Sequence, residues 1–183
     1  MPFAAGDTGL ILVLPEVDAV VAPWRARLEP NAALGVPAHV TVLYPFVPAP
    51  ELTSEVLEEL DEAFADVPPF GLRLTRFERF PDDGVLFLAP EPAETCRRLT
   101  AIVQARWPEH RPYGGAHAEV VPHLTLAIGA SRAEEALVEA ALGPRLPLRA
   151  RVEAVDLMAF DGAAWVGHSR FSLGRRGPAD ARG

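Results

Sequence analysis

Ala38-His39-Val40-Thr41-Val42-Leu43-Tyr44 and Val121-Pro122-His123-Leu124-Thr125-Leu126-Ala127-Ile128 are two apolar runs that decide how this chain is read. Each has a proline close by, Pro37 and Pro122, and each reads as a β-strand. Residues two apart on a strand share a face. His39 and Thr41 therefore present an imidazole and a hydroxyl to one side, while Val40 and Val42 bury on the other. His123 and Thr125 do the same, backed by Leu124 and Leu126. With five His and seven Thr among 183 residues, chance predicts about 0.2 His-x-Thr pairs. A lone pair reads as a histidine satisfied inside a sheet. Two pairs at matching places read as a functional centre.

Outward from these motifs the chain repeats itself. Residues 8–14 form a buried strand closed by Pro15, and Val17, Val20, Val21, Trp24 and Leu28 then recur at helical spacing up to Pro30. After the first motif, Val56, Leu60, Phe64 and Val67 mark a second helix, with Thr53 or Ser54 as its cap. Strands at 70–77 and 85–89 follow, the latter introduced by the turn Asp82-Asp83-Gly84. Cys96, Leu99, Val103 and Trp107 give a helix face, and Pro112-Tyr113-Gly114-Gly115 forms a loop before the second motif. Ser131-Arg132-Ala133-Glu134 is a capping box opening a helix that stops at Gly143-Pro144. Two strands, at 146–160 and 165–173, close the pattern, and 175–183 reads as a frayed tail.

Each half thus contains a helix, a His-x-Thr strand, a helix and a strand. Trp24 lies 15 residues before His39, and Trp107 lies 16 before His123. The fold class expected is α+β: one bilobal domain over 1–174, with antiparallel-rich sheets, flanking helices and a cleft. The lobes fall at about 8–80 and 84–174, with the terminal strands free to exchange between them.

Composition narrows the chemistry. All 17 basic residues are arginine, so there is no lysine for a Schiff base, a lysyl-adenylate or a Gly-Lys-Ser/Thr phosphate loop. The single cysteine, Cys96, excludes a disulfide framework or a Cys-rich zinc site and suits a reducing cytosol. The apolar run 10–14 is too short to cross a bilayer and has no basic segment before it. The expectation is a cytoplasmic monomer without a signal peptide or membrane contact. A net charge of −8 argues against a long polynucleotide as the main partner.

Two facing histidines suit acid–base chemistry, because an imidazole takes or gives a proton near neutral pH. A hydroxyl beside each ring can donate to a phosphate oxygen as negative charge builds there. This is equipment for attack at phosphorus, with no metal and no cofactor required. A zinc site built on His117 and His123 lacks a third ligand at suitable spacing.

The motifs resemble those of the two-histidine (2H) phosphoesterase superfamily, the LigT-like or RNA 2′,5′-ligase-like proteins. The resemblance runs from about residue 8 to 173. It implies a bilobal, metal-independent phosphodiesterase acting on 2′,3′-cyclic or related phosphates of a small nucleotide or short RNA end, leaving a 2′-phosphate. It further implies that His123 activates water, His39 protonates the leaving 3′-oxygen, and Thr41 and Thr125 bind the phosphate. Some members carry an Arg shortly after the second motif, where this chain has Ala127-Ile128-Gly129. A clamping arginine must come from elsewhere.

Further candidates are Tyr113 with Gly114, as a lip over the cleft whose ring stacks on a base, and Arg149 with Arg151 or His168 with Arg170, as phosphate contacts. Tyr44, by strand parity, falls opposite His39 and reads as core unless Pro45 turns the chain; Phe46 is a second aromatic available for stacking. Trp24, Trp107 and Cys96 read as core, and Glu58-Glu59 with Asp61-Glu62 as a solvated helix face. Alternatives to hydrolysis are ATP-independent RNA 2′,5′-ligation, the reverse reaction, and a nucleotide-binding module without turnover.

Overall fold

A computed structural model describes residues 3–80, 82–115 and 120–175. The tail at 176–183 and His117 lie outside the described residues. In chain order the elements are β1 (Thr8–Val13), α1 (Pro15–Leu28), β2 (His39–Leu43), α2 (Ser54–Ala65), β3 (Phe70–Phe80) and β4 (Val85–Glu91). Then come α3 (Ala93–Arg106), β5 (Leu124–Ile128), α4 (Arg132–Leu142), β6 (Leu148–Val152), β7 (Ala154–Phe160) and β8 (Trp165–Ser172). The helix starts follow the sequence signals. Pro15 occupies the first turn of α1, Thr53 accepts from the Val56 amide, and Ser131 and Glu134 form a reciprocal capping box.

The strands form two antiparallel four-stranded sheets, ordered β2-β1-β7-β8 and β5-β4-β3-β6. The fold is therefore α+β, as expected. A cut between residues 80 and 84 does not part the sheets: β3 lies beside β4 in the second, and β7 and β8 join β1 in the first. The run expected as one strand over 146–160 is two strands in different sheets. Its alternation, with Leu148, Ala150 and Val152 buried between exposed Arg149 and Arg151, slips at the adjacent buried pair Ala154-Val155. Exposed Glu153 marks the crossing.

Helices cross over too. The first-half helix α1 packs on β5 and β6 of the second sheet, and the second-half helix α3 packs on β2 of the first. One apolar core results, in which Leu12, Val40, Val42, Leu124, Leu126, Leu99, Val17 and Val21 are all buried. At about 25 cal/mol per Å² of apolar surface, each such side chain contributes roughly 2 kcal/mol relative to exposure. A satellite cluster of Ile11, Met158, Phe160 and Trp165, with Phe3 and Tyr44 against it, fills the other face of the first sheet. Among the described residues no helix is long and apolar enough to cross a membrane.

Candidate active site

The edge strands β2 and β5 lie against one another where the two sheets meet. On each, the expected parity holds: Val40, Val42, Leu124 and Leu126 are buried, while His39, Thr41, His123 and Thr125 are half-buried on the opposite side. His123 immediately precedes the first laddered residue of β5 and so sits at the strand's mouth.

Both imidazoles are oriented by the same local device. His39 Nδ1 lies 2.8 Å from the Pro37 carbonyl, and His123 Nδ1 lies 2.7 Å from the Val121 carbonyl. A carbonyl can only accept, so Nδ1 carries the proton in each ring. Each neutral ring is thereby left with Nε2 as its basic nitrogen. The prolines before the motifs help here, since Pro37 and Pro122 bias the preceding residues to extended backbone.

The surroundings of the two rings differ. His39 is packed densely enough for desolvation to lower its pKa to about 4. The Pro37 hydrogen bond works against that shift, and the charges of Arg25 and His123 work with it. The mutual charge effect also places the two imidazoles in one electrostatic site. His123 is ringed by aromatics instead: Phe80 at 5.0 Å and edge-on, Phe87 at 5.4 Å, and Tyr113 stacked at 6.5 Å between ring centroids.

Tyr113 spans the centre. Its phenol hydrogen-bonds with Thr41 and its ring lies over His123, so one side chain touches both motifs. Its amide donates to the Tyr44 carbonyl at 2.6 Å. Tyr113 adopts φ 52° and Gly114 φ 64°, a left-handed pair that folds the turn Pro112–Gly115 back over the motifs. Glycine accepts that backbone freely, whereas the tyrosine carries a cost of about 1 kcal/mol.

The remaining expectations divide. Arg149 and Arg151 are exposed on β6, three strand spacings from β5, about 14 Å across the sheet. They do not join the histidines; Arg151 pairs instead with Glu153 at 3.0 Å. His168 and Arg170 lie on β8, the far edge of the first sheet, where Arg170 grips Asp156 through two contacts of 2.8 and 3.0 Å. Tyr44 is turned into the satellite aromatic cluster, its hydroxyl donating to Asp7 at 3.2 Å, and Phe46 is buried against Trp107. Trp24 packs on the core, and Cys96 is buried with its thiol pushed up to about 12, so it is no nucleophile.

Sequence reading missed Arg25. Its side chain is 3% exposed, and its guanidinium donates to the Thr125 carbonyl at 3.2 Å, the Val36 carbonyl at 3.2 Å and the Glu29 carboxylate at 2.9 Å. The signal was present: Val17, Val21 and Arg25 share one buried face of α1, with Glu29 one turn on.

The 2′-5′ RNA ligase superfamily model matches residues 13–164. The chain belongs to that family. Among its relatives is a Bacillus pumilus protein named "Putative phosphoesterase", 30% identical over 159 residues that cover 84% of this chain and 89% of that one. A Geobacillus kaustophilus protein of like name is 26% identical, covering 91% of this chain and 95% of the relative. Solved structures of the same fold include TT0787 of Thermus thermophilus (TM-score 0.62, 22% identity) and E. coli LigT complexed with 3′-AMP (TM-score 0.58, 20% identity). Each covers 93% of this chain and 99% of its own.

Proposed function

We propose that this 2′-5′ RNA ligase superfamily member hydrolyses 2′,3′-cyclic phosphates of small nucleotides or short RNA ends, with His39 and His123 as its base and acid. The observation that carries the reading is the matched orientation of the two rings. Both are anchored through Nδ1, which makes Nε2 the basic nitrogen of each ring, and a threonine hydroxyl stands beside each.

The electrostatics favour roles opposite to those the resemblance implied. Dense packing and the Arg25 charge keep His39 neutral at physiological pH, ready to accept. His123 lies among the rings of Phe80, Phe87 and Tyr113 and takes the acid role in this reading. His39 Nε2 takes a proton from water as the water oxygen bonds to phosphorus. The bond from phosphorus to the 3′-oxygen breaks, and His123 gives its Nε2 proton to that oxygen. A 2′-phosphate remains. Thr41 and Thr125 donate to the non-bridging oxygens, and Tyr113, already on Thr41, borders the bound nucleotide.

The test is turnover of 2′,3′-cyclic mononucleotides by EDTA-treated protein, with products resolved by phosphorus NMR. The expected product is the 2′-phosphate, and both histidine-to-alanine variants are expected to lose about 10³ in kcat/KM. Saturable binding without turnover would instead identify a binding module. Joining of RNA ends in preference to hydrolysis would identify a ligase.

A further inference from the structure

We propose that Arg25 is the positioning residue of this centre: one buried guanidinium on α1 that holds both motif segments in register and supplies the charge facing His39. The inference rests on the acid–base reading above and adds a residue to it.

The geometry is direct. Nε of Arg25 donates to the carbonyl of Thr125, two residues beyond His123, and Nη2 donates to the carbonyl of Val36, three residues before His39. Asp18, 3.6 Å from Nη1, accepts from the Ala38 amide at 2.8 Å and so fixes the residue next to His39. Glu29 completes the set, bonding Arg25 on one side and the Asn31 amide on the other at 2.9 Å. One helix from the first half thus ties the second motif strand to the approach of the first.

Position on the helix strengthens the case. Arg25 continues the buried face begun by Val17 and Val21, where an apolar side chain would fill the space without a charge to compensate. Buried ion pairs are seldom better for stability than well-packed apolar groups of similar size. What a methionine there could not do is donate to two carbonyls, one on β5 and one in the segment leading into β2, and a lysine lacks the rigid planar fork that meets both.

Among the described residues, the charged and titratable groups around His39 are few. Arg25, Asp18 and Glu29 form the network beneath it, His123 faces it from the second motif, and Tyr113 reaches Thr41 from the turn above. Of these, Arg25 and His123 act on its proton affinity.

Two variants separate charge from geometry. Arg25→Lys keeps the charge and loses the fork. Arg25→Met combined with Glu29→Gln removes the charge without stranding a buried carboxylate. His39 titration by imidazole NMR, binding of inorganic phosphate and turnover of cyclic nucleotide are measured for each. For the lysine variant kcat is expected to fall about tenfold with KM little changed, and His39 titration to stay near its wild-type position. In the double variant His39 is expected to titrate about one pH unit higher, with phosphate binding about tenfold weaker. Wild-type kcat in the lysine variant, or unmoved His39 titration in a folded double variant, overturns the proposal. Should the double variant fail to fold, the lysine variant decides. Should wild type not turn over cyclic nucleotides, the proposed function fails, and titration with phosphate binding still judges Arg25.

Discussion

The two motif segments are near copies in sequence and in local geometry, yet they sit in different chemical surroundings. Each histidine bonds the carbonyl two residues before it, and each strand buries its two aliphatic residues. Even the crossing helices are matched: α1 sends Arg25 to the Thr125 carbonyl, and α3 sends the Thr100 hydroxyl to the Val42 carbonyl at 2.7 Å. The difference lies in what crosses. One helix delivers a cation beneath His39, the other a neutral hydroxyl, while Phe80, Phe87 and Tyr113 gather around His123. The two imidazoles are thereby placed in unequal surroundings, as the proposed base and acid require.

The largest test of this pairing is removal of either ring. His39→Ala and His123→Ala are each expected to lower kcat/KM by about 10³ at neutral pH. The double variant should be little worse than either alone, since groups acting as a unit are not additive. A double variant whose loss is the product of the singles would mean that the rings work independently.

Loss of a hydroxyl comes next. Thr41→Val and Thr125→Val are each expected to reduce kcat about 10² while leaving the backbone in place. Thr41 also engages Tyr113, so its valine variant should show the larger change in KM, and steady-state kinetics reads the difference.

Acid stability gives a smaller effect. A histidine ordinarily titrates near 6.5, and His39 in the folded protein near 4. Between these values the unfolded chain binds more protons. Stability is therefore complete above about pH 6.5 and declines as pH falls toward 4. Allowing for solvent screening, the loss is about 2 kcal/mol. Urea denaturation of a His39→Gln variant over this range should show that part of the decline removed.

The smallest expected change is Thr100→Val, which deletes the buried hydrogen bond to Val42 and should cost about 1 kcal/mol by the same measurement. Its mate across the pseudo-symmetry, Arg25, also carries charge. Thr100→Val should therefore leave His39 titration where it is.

Much of this was legible in the sequence because it is local. Period-two alternation in 39–43 and 124–128 announces strands with a histidine face, and Ser131 with Glu134 announces a helix start. What was hidden depends on pairing between distant segments. Nothing local tells that α1 leaves its own sheet, so Arg25 carries no signal of its contact with the second motif. The assignment of β7 to the first sheet is non-local as well, although the phase slip at Ala154-Val155 marks where the chain changes sheets. Arg149 and Arg151 were correctly placed on one strand face, but strand order carries that face away from the histidines.

The most direct measurement is kcat/KM for a 2′,3′-cyclic mononucleotide against pH in EDTA, for wild type and His39→Ala. Wild-type activity should fall on the acid side only as pH approaches about 4, where His39 gains its proton. The variant should be about 10³ lower at pH 7 and lack that limb. An unchanged limb and rate in His39→Ala would contradict a base at His39.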